Sequence, residues 1–113
     1  MLDVEILKNE FDIDAREGLK RCMNNQKFFN RMLNMALKNP AFDNLESALV
    51  NNNLEAAFEL CHALKGVLGN LALDKLFDPI CDMTESLRRK EDLDYLTLYK
   101  PVKALRDELV AKL

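Results

Sequence analysis

Within one eight-residue stretch this 113-residue chain places His62, Lys65, Gly66 and Gly69. His62 is its only histidine. An imidazole nitrogen is a nucleophile that titrates close to neutral pH, so it can attack an electrophile without a general base. A lysine three residues on lies one helical turn away and offers a cation to an incoming anion. Glycine inside a helix costs about 1 kcal/mol relative to alanine, so Gly66 and Gly69 together give up about 2 kcal/mol of helix propensity. Something other than helix stability accounts for them. A nitrogen nucleophile, a cation to offset a dianion, and bare backbone where another protein must come close together suit a site that accepts a phosphoryl group.

The same residues sit in the clearest helical pattern of the sequence, from Leu54 to about Ala72. Its apolar stripe is Leu54, Ala57, Phe58, Cys61, Leu64, Leu68 and Leu71. At about 100° per residue the centre of that stripe lies roughly 125° from His62, so the imidazole is expected to face outward. The same arithmetic sets Gly66 and Gly69 beside it on the outer face, with Lys65 flanking it toward the edge. Glu55 and Glu59 fall on the histidine side, as solvated residues, with Glu59 available to a docking partner. Phe58 reads as core. Cys61, next to His62, diverges from it by about 100° and makes no nucleophile pair. Gly66-Val67-Leu68-Gly69 lacks the G-K-[ST] ending of a phosphate loop, so no nucleotide site is expected.

The elements that must hold this helix are helical as well. The chain is 49% hydrophobic and 31% charged, the balance of one soluble domain spanning residues 1–113. Six Phe and 21 Leu supply a core, whereas Val, Ile and Thr total only ten and Gly and Pro three each, which excludes most β folds. Asp14 can cap a short helix through Leu19 and Met23, ending near Asn24 and Asn25. A longer segment starts near Gln26 with Phe29, Met32, Leu33 and Ala36 inward. It restarts or kinks at Pro40 and continues through Leu45, Ala48 and Leu49. Asn51, Asn52 and Asn53 form a turn and cap ahead of the histidine helix. Asp74 or Asp78 caps the next, in which Leu76, Ile80, Met83 and Leu87 share a face, with Pro79 tolerated in a first turn after Asp78. Arg88, Arg89 and Lys90 close it, as the helix dipole favours. The last helix runs from about Asp94 to Leu113 with Leu96, Tyr99, Val102, Leu105 and Leu109 inward and a kink allowed at Pro101. Four long amphipathic helices and one short one pack most simply as an antiparallel four-helix bundle with a short additional N-terminal helix.

The run from Ala57 to Leu71, with His62-Ala63-Leu64-Lys65-Gly66 followed by Asn70-Leu71, resembles the signature of histidine-containing phosphotransfer (HPt) domains, whose core reads H-x-L-K-G and then N-L. The resemblance covers the chain from about Ile13 to Leu109. It implies a four-helix bundle with a short extra helix, His62 as phospho-acceptor, Lys65 as the cation near the phosphoryl group, and Gly66 as the position kept small for an approaching receiver domain. It also implies the partners: response-regulator receiver domains and a sensor or hybrid histidine kinase, with the acidic pocket and Mg²⁺ belonging to the receiver. Val67 stands where many members have serine and alters the polar surroundings of the site. Ala72 stands where many have glycine, which leaves Asn70 or Asp74 to finish the helix end.

Other chemistries are poorly served. Net charge is −3 and the basic residues are dispersed, so nucleic acid is not an expected partner. No apolar run reaches 18 residues and the N-terminal ten mix Asp3, Glu5 and Lys8 into their apolar residues, unlike a secretory signal, so a cytoplasmic, non-membrane location is expected. Cys22, Cys61 and Cys81 are far apart and odd in number, which suggests three reduced packing residues and neither disulfide nor metal. Met23, Met32, Met35 and Met83 read as packing material. No ATP-dependent chemistry is visible, so the chain is expected to be a carrier without kinase activity and a monomer. Two alternatives stay open: a helical docking module that is never phosphorylated, and the phosphotransfer domain of a chemotaxis-type kinase. With no kinase segment in 113 residues, a free-standing carrier is expected.

Overall fold

A computed structural model describes residues 2–113, and every regular element among them is an α-helix. In chain order these are α1 (Val4–Phe11), α2 (Arg16–Arg21), α3 (Gln26–Leu37), α4 (Ala41–Val50), α5 (Leu54–Asn70), α6 (Asp74–Arg88) and α7 (Tyr95–Ala111). Side-chain caps define the starts of four of them. Asp3 accepts from the Ile6 N–H (2.8 Å), Asn25 from Phe28 (3.1 Å), Asn53 from Ala56 (3.2 Å) and Asp94 from Thr97 (3.2 Å). Each satisfies one of the amide donors that the first helical turn leaves free.

Three expectations of helix ends need correction. The acidic, interrupted N-terminus is itself a helix, α1, because Asp3 caps it and its apolar residues are enough to bury: Leu2, Leu7 and Ile13 are all in the core. Asp14 does bind the start of α2 by accepting the Arg16 N–H (3.2 Å), but the cap position is Ala15 and the helix stops at Arg21. Met23 and Asn24 then take left-handed φ of 57° and 56°. Pro79 lies in the interior of α6, since that helix begins at Asp74, with Leu73 and not an aspartate in the cap position. It lacks the amide that would otherwise bond the carbonyl of Lys75. Pro40 behaves as expected, ending one helix and starting the next, while α7 continues unbroken through Pro101.

The core is built where the periodicity placed it, from Phe29, Leu33, Leu45, Leu64, Leu68, Leu76, Ile80, Tyr99 and Leu109 among others. Helix α5 packs on α4 and α6, and α7 packs on α3, α4 and α6, so α5 is held along its length on two sides. The Tyr99 hydroxyl, deep in this core, donates to the Phe42 carbonyl of α4 at 2.7 Å. Arg106 donates to the Leu37 carbonyl at 2.7 Å, closing the C-terminal end of α3, while its guanidinium lies 5.1 Å above the Phe42 ring. Of the methionines, Met83 is buried and Met32 half-buried, but Met23 and Met35 stand in water, 83% and 63% exposed. Leu54, the first residue of the expected stripe and of α5, is also partly exposed, at 37%.

Candidate functional site

His62 occupies the middle of the 17-residue α5 and is exposed. The exposed strip of this helix is Glu55, Glu59, His62, Ala63, Gly66 and Asn70. The imidazole therefore stands between two small residues, Ala63 and Gly66. A Cβ added at Gly66 would meet nothing within 4 Å, so the glycine is not there to let helices approach one another. Lys65 is half-buried beside this strip and pairs with no carboxylate among the described residues. It remains an uncommitted cation. Glu59 is exposed one turn before the histidine and is likewise outside the ion pairs of the described residues.

Gly69 departs from its expected place on the docking face. A Cβ there would stand 3.1 Å from the Phe77 ring of α6, and the Gly69 carbonyl accepts a hydrogen bond from Arg21 Nη1 of α2 at 2.7 Å. This glycine serves the junction of three helices at the end of α5. The helix end itself is finished by Ala72, which adopts a left-handed φ of 57°, while the Leu73 amide reaches back to the Leu68 carbonyl at 3.3 Å. Neither Asn70 nor Asp74 makes the closing bond. That geometry is the ordinary left-handed helix ending with alanine in the seat glycine prefers.

Two side chains take a place near His62 that the sequence reading did not give them. Phe58, expected in the core, is half-buried and its ring stacks with the imidazole of His62, centroids 6.1 Å apart and planes 22° from parallel. Arg88 of α6 lies over the same phenyl ring, its Cζ 5.4 Å from the centroid, and Arg88 Nη2 pairs with Glu85 Oε1 at 3.5 Å. The i−4 spacing, which leaves Phe58 about 40° from His62 around the helix, could have placed it beside the imidazole and not only in the core. Arg88 could not, because its approach depends on how α6 lies against α5.

The neighbouring Cys61 is a packing residue. It is fully buried, and burial pushes its thiol up to about 12, with a hydrogen bond to Thr84 acting the other way. Cys22 is buried and Cys81 half-buried, and all three are free thiols. Among the described residues no three His, Cys, Asp or Glu side chains converge as metal ligands, and no helix is long and apolar enough to cross a membrane. No family model, no curated protein and no solved structure matches the chain.

Proposed function

We propose that this chain is a histidine phosphotransfer module in which His62 takes a phosphoryl group from a receiver-domain aspartate, or from a sensor or hybrid kinase, and passes it to another receiver aspartate. The single observation that carries this reading is an exposed imidazole beside a mid-helix glycine with open space above it, both within the H-x-L-K-G run. The mutual packing of α4 with α5, α5 with α6, α6 with α7 and α7 with α4 supports the antiparallel four-helix bundle that the resemblance implies. In that reading α3 is the kinked extension of α4 and α2 the short additional helix.

The transfer is a displacement at phosphorus. The lone pair of one neutral imidazole nitrogen forms the P–N bond as the P–O bond to the aspartate breaks, the aspartate leaves as a carboxylate, and the other ring nitrogen keeps its proton. Lys65 faces the three charged oxygens of the transferred group. This chain needs no general base and no metal of its own for the step, and Mg²⁺ belongs to the receiver. We read the module as a cytoplasmic monomer that binds neither nucleic acid nor membrane.

Incubation with a phosphorylated receiver domain tests it. One acid-labile, alkali-stable phosphate per chain is expected in the native protein, with none in a folded His62→Gln variant. Label that persists in His62→Gln overturns the assignment, and a native chain that takes no label from any receiver of its own cell leaves the unphosphorylated docking module as the better reading.

A further inference from the structure

We propose that Phe58 is a positioning residue for His62, an inference that rests on the phosphotransfer reading. An imidazole on an open helix face is free to rotate about χ1 and χ2, and only some of those orientations present a ring nitrogen to an incoming phosphorus. Here one face of the ring has an aromatic neighbour. The Phe58 phenyl lies one turn before it and nearly parallel to it, centroids 6.1 Å apart. Phe58 itself needs holding, because it borders an open groove of about 550 Å³ between α5 and α6, lined also by Leu54, Leu87 and Tyr95. Arg88 does this from the other helix. Its guanidinium covers the phenyl ring at 5.4 Å and is steadied by Glu85 at 3.5 Å. The chain of contacts Glu85, Arg88, Phe58, His62 thus runs from α6 to the imidazole and fixes its plane before any partner arrives. Stacking of this kind favours the offset geometry seen and requires an aromatic ring at position 58, not merely bulk.

The test compares Phe58→Leu and Phe58→Tyr with the native protein, reading three quantities. Proton NMR gives the ring-current displacement of the His62 ring protons, receiver titration gives the maximal transfer rate and the half-saturating receiver concentration, and thermal melting gives the fold. Freed among the few rotamers a helix allows, the imidazole should present itself correctly only part of the time. Phe58→Leu is therefore expected to lose most of the ring-current displacement and roughly three- to fivefold in maximal rate at unchanged half-saturation. Phe58→Tyr should keep both. Arg88→Ala, a change at an exposed side chain, should weaken the displacement and lower the maximal rate by about half as much. A Phe58→Leu protein that loses the displacement yet transfers at the native maximal rate overturns the proposal. So does an undiminished displacement in Arg88→Ala, which stays informative if the leucine variant does not fold. A native chain that shows the displacement but takes no phosphoryl group would instead refute the phosphotransfer reading on which this one stands.

Discussion

At the scale of single residues, the two mid-helix glycines of α5 separate two uses of the same amino acid. Gly66 faces open space, so Gly66→Ala should stabilise the protein by about 0.5 to 1 kcal/mol and Gly66→Gln by nearly as much, since an outward side chain meets only water. The glutamine should nevertheless impede phosphotransfer strongly, because it fills the space one turn from the imidazole. Gly69→Ala should gain less, because its new methyl stands 3.1 Å from the Phe77 ring and part of the propensity gain is spent moving that ring. Denaturation midpoints and transfer rates on the same three variants check this, and a stable Gly66→Gln protein that transfers normally would contradict the role given to Gly66. Lys65→Ala removes the cation nearest to the exposed dianion that the proposed phosphohistidine would carry. Such pairs are worth about 1 kcal/mol or less, so a loss of no more than about fivefold in transfer rate is expected from stopped-flow or gel assays. The outward direction of His62 and Gly66 was legible from angular arithmetic alone. The place of Gly69 was not, because that arithmetic describes an isolated helix and says nothing of Phe77 or Arg21 arriving from other elements.

At the scale of elements, the end of α5 stores a correctable strain. Ala72 holds a left-handed φ of 57°, a conformation that costs a residue with a Cβ roughly 1 to 2 kcal/mol. Glycine avoids that cost but loses more freedom on folding, so Ala72→Gly should stabilise by about 0.5 to 1 kcal/mol net, read as a higher urea midpoint. Gly18→Ala should do the opposite. Gly18 is buried where α2 crosses the end of α5, and a Cβ there would collide with the backbone carbonyl of Leu71 and stand 3.1 Å from the Phe29 ring. A backbone clash has no rotamer to relieve it, so a loss of about 1 to 3 kcal/mol is expected from denaturant unfolding. The four long apolar patterns, the first of them divided at Pro40 into α3 and α4, were readable in the sequence because each repeats with helical period over several turns. Helix α1 was not, because eight residues carry only two turns of pattern and three charges interrupt them. The true start of α6 was hidden by two candidate caps, Asp74 and Asp78: the cap position fell to Leu73, whose side chain is buried and makes no capping bond.

At the scale of the whole molecule, the buried side of α5 makes stability fall in alkali. The Cys61 thiol is held up to about 12 by burial, whereas an unburied thiol ionises near 9. Between those values the unfolded chain has given up a proton that the folded chain retains, so this contribution is complete below pH 9 and is lost as pH rises toward 12. Burial raises the Tyr99 hydroxyl in the same direction. Urea midpoints measured at pH 7, 9 and 10.5 should fall less steeply in Cys61→Ala than in the native protein, and equal slopes would contradict the assignment. The all-helical architecture was legible from composition and periodicity. The way α6 brings Arg88 onto Phe58 was not, since that contact exists only once two helices have a fixed offset.

The central claim is that His62 carries a phosphoryl group, and phosphorus NMR tests it most directly on the unaltered chain. A phosphorylated receiver domain is mixed with the protein and the acyl phosphate resonance is followed in time. The account predicts that it declines while a phosphoramidate resonance grows to one equivalent per chain, and that a second, unphosphorylated receiver then discharges it. Acyl phosphate that decays only to inorganic phosphate, with no phosphoramidate at any time and with every receiver tried, would contradict it.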